Sequence, residues 1–141
     1  MPEKQYTKLG NKRQKRSTKN TSDYPPGLWD FNDGNGLVPA HRHKNGTGWV
    51  ADTARVESAA FVGPTAVVYG YAQVLGGARV QGHARVCGHA TITDRAVISG
   101  RATVTGAAFI GGNCWIYDDA FVGGSVCRIG KERIAAYDYV I

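Results

Sequence analysis

His83 and His89 are the side chains of this sequence best suited to proton transfer or metal binding, and they stand six residues apart. A neutral imidazole serves equally as a general base and as a zinc ligand. A three-ligand zinc centre needs a further donor at matching spacing, and this stretch supplies no third histidine. Asp30–Asn35 superficially suggests a calcium loop. Its glycine falls one place early, and His41 stands where a bidentate Glu is required, so no metal is expected. His41-Arg42-His43-Lys44 reads as a polar loop or a small anion-binding cluster. Cys87, Cys114 and Cys127 are odd in number and lack CxxC spacing, which argues against a disulfide framework and for a reducing, cytoplasmic setting. Arg79, Arg85, Arg95 and Arg101, together with His83, suit an anion groove for a small phosphorylated ligand; the alternative is arginines that only confer solubility.

Charge is segregated along the chain. Residues 1–20 hold seven basic side chains (Lys4, Lys8, Lys12, Arg13, Lys15, Arg16 and Lys19) against one acid, Glu3. The other 121 residues hold ten bases and ten acids, so the net charge of +6 belongs to the arm. Lys8, Lys12, Arg13, Lys15, Arg16 and Lys19 can neutralise several phosphates by counterion release, which points to nucleic acid or another polyanion. Tyr6 is the only aromatic residue among them, so base stacking by the arm is not expected. A merely solubilising arm is the competing reading. So polar a segment buries too little to offset ordering entropy, so residues 1–20 are expected to be disordered alone. No apolar h-region follows the basic residues, and no apolar run is long enough to span a bilayer; neither secretion nor membrane insertion is expected.

The elements that position these side chains follow from a six-residue period. Thirteen aliphatic residues recur in phase from Val50 to Val122, and four places after each comes a small residue, from Ala54 to Ala120 with Cys114 substituting once, before Val126 closes the series. Period six fits neither a helix nor an ordinary strand. Each hexad therefore gives a short strand with its Val or Ile inward, then a tight corner lined by Ala. Gly or Asp two places after the aliphatic residue (Gly70, Gly82, Asp94, Gly100, Asp118) supplies the turn, since both tolerate positive φ. Three hexads close one coil of 18 residues, so residues i and i+18 stack about 4.8 Å apart. The pattern accounts for about four coils, a prism about 20 Å tall by that spacing.

The V-x-G-x-A-x cadence, with Val62-Gly63, Ile110-Gly111 and Val122-Gly123, resembles the left-handed β-helix hexapeptide-repeat family. That family includes trimeric acyltransferases, gamma-class carbonic anhydrases and uncharacterised bacterial and phage proteins. The resemblance implies an all-β, single-domain left-handed parallel β-helix that assembles as a homotrimer. If the acyltransferase relation extends to function, it also implies a coenzyme A thioester and His83 as general base at a trimer groove. Otherwise no cofactor is expected. Those enzymes usually interrupt the repeat with a substrate loop, and this repeat has no interruption.

Residues 1–20 thus read as a disordered basic arm, 21–48 as an irregular cap, 49–126 as the β-helix and 127–141 as a closing cap or interface segment. Trp29 and Phe31 are candidates to plug the first coil. The reading favoured by the sequence is a non-catalytic binding or structural module engaging nucleic acid through the arm. Acyl transfer and sequestration of a phosphorylated ligand between subunits are its alternatives.

Overall fold

The computed structural model describes residues 27–135 and the backbone of residues 139–140. The basic arm, with Lys8, Lys12, Arg13, Lys15, Arg16 and Lys19, lies outside the described residues. Those residues build a parallel β-solenoid with three flat sides and contain no α-helix.

Each hexad forms a two-residue strand such as Val67–Val68, Gln73–Val74 or Arg79–Val80. The second residue points into the interior. Val62, Val68, Val74, Val80, Val86, Ile92, Ile98, Val104, Ile110, Ile116 and Val122 are all fully buried, with the alanines of the corners beside them. Burying each such side chain contributes roughly 1.5–3 kcal/mol, and the regular column repeats that gain coil after coil. Pairing joins residues 18 apart throughout, for example Val67 with Arg85 and Thr103 with Phe121. Backbone hydrogen bonds climb from coil to coil: Arg85 N donates to Ala102 O at 3.0 Å and Cys87 N to Val104 O at 2.9 Å.

The corners turn through positive φ at the expected positions. Gly82 and Gly100 take φ of 64° and 65°, and Asp94 and Asp118 take 60° and 56° without glycine. At Gly100 a side chain is also barred by crowding, since a Cβ there would lie 2.6 Å from the Asp118 backbone nitrogen.

Strands from Trp49 to Val140 number sixteen, which at three per coil is a little over five turns rather than four. The extra coil keeps the 18-residue register, pairing Phe109 with Cys127, Trp115 with Arg133 and Phe121 with Tyr139. Its sequence hides it because Arg128, opposite Ile110, breaks the inward column before the buried Ile134 resumes it. Glu132 takes the place held one coil earlier by Cys114. Arg128 and Glu132 pair with each other at 2.7 Å. They put a polar surface over the last coil, where an exposed Val and Ala would invite another molecule to stack.

The opposite end is built differently. β1 (Leu28–Asp30) and β2 (Leu37–Arg42) form an antiparallel hairpin, and β2 pairs antiparallel with β3 (Trp49–Ala51), the first strand of the solenoid. Residues 28–42 are therefore regular structure, not an irregular cap. Trp29 and Phe31 do not plug the first coil. They lie on the outer surface of the sheet that contains β3, where Trp29 stacks on Trp49 (4.6 Å) and Phe31 on Tyr69 (5.0 Å). Covering the coil edge falls instead to the loop 43–48. Gly48 N donates to Val62 O, Val62 N to Asn45 O, and the buried His43 donates from Nε2 to Ala60 O at 2.8 Å. A carbonyl only accepts, so the proton sits on Nε2.

Candidate functional site: the outer sheets and one corner

Three sheets present three outer surfaces. Sheet 1 contains the hairpin, β3 and the strands at Val67, Arg85, Thr103, Phe121 and Tyr139; sheet 2 contains those at Arg55, Gln73, Thr91, Phe109 and Cys127; sheet 3 contains those at Phe61, Arg79, Val97, Trp115 and Arg133.

His83 and Arg101 meet at the corner that follows sheet 3. They line a shallow cleft of about 330 Å³ with Gly82, Gly100, Asp118 and Asp119. The column forms because residues 83, 101 and 119 are 18 apart. Arg101 Nε donates to Asp119 Oδ1 at 3.1 Å, and both side chains are more than half exposed, so the pair adds less than about 1 kcal/mol. Two carboxylates beside one guanidinium make this cleft mixed in charge rather than anion-selective.

The other three arginines of the expected groove do not join it. Arg85 lies on sheet 1, where its guanidinium donates to the Phe31 carbonyl and, at 3.2 Å, to the Tyr69 hydroxyl. It is a fastener between hairpin and solenoid. Burial pushes the Tyr69 phenol above its usual range, the neighbouring Cys87 adds to this, and Arg85 pulls partly back. Arg95 is exposed on the corner between sheets 2 and 3. Arg79 is exposed on sheet 3, with its guanidinium 4.3 Å from the centre of the Phe61 ring.

His89 is on a different corner from His83, where Tyr71 stacks on it at 5.2 Å and 9° between ring planes. The two imidazoles therefore do not form a shared site within one chain. Among the described residues, no three His, Cys, Asp or Glu side chains come together as a metal would need. Cys114 is buried with its thiol toward Gly130 O, Cys87 donates to Thr105 Oγ1 at 3.3 Å, and Cys127 is exposed. No helix among the described residues is long and apolar enough to cross a membrane.

The 18-residue spacing sets Phe61, Arg79, Val97 and Trp115 on one outward face, that of sheet 3, and the structure adds Arg133 to it. Phe61, Arg79, Val97, Trp115 and Arg133 stand in register down its outer surface. The 18-residue spacing was the signal available. Arg133 escaped notice because it falls in the coil that the Val and Ala pattern does not reveal.

No family profile matches this chain, and neither a curated protein nor a solved structure matches it.

Proposed function

We propose that this protein is a non-catalytic scaffold of the hexapeptide-repeat kind, assembled as a homotrimer, whose basic arm engages nucleic acid. The observation that carries this reading is the charge segregation: seven bases and one acid in residues 1–20 beside a body with ten of each. The solenoid itself supports a scaffold role rather than a catalytic one. His43 is bonded to Ala60 O, His89 is stacked on Tyr71, and Arg85 is bonded to Phe31 and Tyr69. Phe109 and Ile129, away from sheet 3, leave apolar surface in the last two coils for contact with other subunits. A trimer presents three arms, and their combined local concentration raises a modest single-arm affinity.

Binding of single- and double-stranded oligonucleotides across a salt series tests the reading, with the full chain compared to one lacking residues 1–20. The full chain is expected to lose about 1,000-fold in affinity between roughly 50 and 200 mM salt, by release of counterions from several phosphates. Loss of the arm is expected to remove most of that dependence. Equal binding by both chains refutes the proposal.

A further inference from the structure

We infer that the outer surface of sheet 3 is a second nucleic-acid contact, one that takes a single strand laid across the coils; this inference rests on the polyanion reading above. The outward residues of its five strands are Phe61, Arg79, Val97, Trp115 and Arg133, and neither these nor the outward residues just after each strand are acidic. Sheet 2, by contrast, sets Glu57 beside Arg55 at 3.5 Å, and on sheet 1 Arg85 is bonded to the hairpin while Arg42 donates to Thr47 O. Among the described residues neither Arg79 nor Arg133 is in an ion pair, and both are exposed.

The same surface carries aromatic rings. Trp115 is 39% exposed, with Tyr117 tilted 43° to it at 5.1 Å. Arg133 lies 4.9 Å from the Trp115 ring centre and Arg79 lies 4.3 Å from that of Phe61. These contacts hold the guanidinium groups over the rings of the sheet without neutralising them. Arginines fixed beside partly open rings on an acid-free sheet are what an unpaired strand needs: cations for its phosphates and π surfaces for its splayed bases. A duplex keeps its bases stacked inside and gains nothing from the rings. Arg95 at one corner of the sheet and Arg101 at the other extend the positive border, although Asp119 offsets the second.

The test uses the full chain and a single-stranded homopolymeric pyrimidine oligonucleotide, followed by fluorescence anisotropy over a salt series. Arg79→Ala with Arg133→Ala is expected to weaken binding about tenfold and to lower the salt slope by about 1.4, for two lost phosphate contacts on a single strand. Arg79→Lys with Arg133→Lys is expected to keep the salt slope, which separates charge from packing. Arg55→Ala with Arg128→Ala removes two charges from the strands of sheet 2 and serves as the control. Should the sheet 3 variant bind like that control, the inference is overturned while the arm reading stands. Should neutralising Lys12, Arg13, Lys15 and Arg16 to Gln leave binding intact while the sheet 3 variant loses it, the arm reading fails and the sheet 3 site survives. A duplex of equal length that binds with the same dependence on Arg79 and Arg133 overturns the assignment to a single strand.

Discussion

On sheet 1 the outward rings of Trp49 and Tyr69 lie beneath Trp29 and Phe31 of the hairpin, whereas on sheet 3 Trp115 is 39% exposed, with Arg133 across its ring. Both surfaces place arginine next to aromatic residues in columns set by the 18-residue coil. In sheet 1 the chain consumes this chemistry itself, since Arg85 donates to Phe31 O and the hairpin excludes water from Phe31, which is 2% exposed. In sheet 3 nothing in the described chain covers it. Similar residue types thus serve folding on one side and remain available to a partner on the other. Covering by another segment, not composition, makes the difference.

The comparison is sharpest for the aromatic residues. Phe31→Ala is expected to cost about 3–5 kcal/mol of local stability, because a buried phenyl ring leaves a cavity under the hairpin. Trp115→Ala, on the open sheet, is expected to cost about 1 kcal/mol or less. Chemical denaturation of the two variants checks this, with hydrogen exchange showing the Phe31 loss concentrated in β1, β2 and β3. Equal losses would mean that sheet 3 contributes as much to folding as sheet 1.

The arginines give a smaller contrast in the same direction. Arg85→Ala removes hydrogen bonds from partly buried groups and leaves the Phe31 carbonyl unpaired, for an expected cost of about 1–3 kcal/mol. Arg79→Ala loses an exposed contact with Phe61 and an exposed hydrogen bond to Gln81, for an expected cost of about 0.5 kcal/mol. Thermal melting of both variants measures the difference, and a reversed order would contradict the assignment of Arg85 as the fastener.

Most of the solenoid was legible because one physical requirement repeats. An inward Val or Ile and a corner Ala recur while the interior stays apolar, and Asp94 and Asp118 mark turns where glycine is missing. Legibility ended where that requirement ended. Arg128 and Glu132 face the last coil's open end, so they break the pattern while the backbone continues it. The hairpin was hidden for another reason: β2 runs through Pro39, and a proline inside an apparent strand argues against one. Trp29 and Phe31 were recognised as covering residues, but only pairing in space decides whether they close an end or lie on a side. Of the expected anion groove, His83 and Arg101 come together because they are 18 residues apart. Arg85 belongs by the same register to sheet 1, where its bond to Phe31, a contact across 54 residues, is one that no repeat spacing encodes.

The central claim is that nucleic-acid binding resides in the arm and on sheet 3, with the rest of the solenoid as support. Salt slopes for four full-length proteins test it most directly: the parent, the arm variant with Lys12, Arg13, Lys15 and Arg16 changed to Gln, the sheet 3 variant Arg79→Ala/Arg133→Ala, and their combination. The account predicts slope reductions of about 2.8 and 1.4 for the two single-region variants, adding in the combination to leave only weak residual binding. Binding by the combined variant as tight and as salt-dependent as the parent's would contradict it.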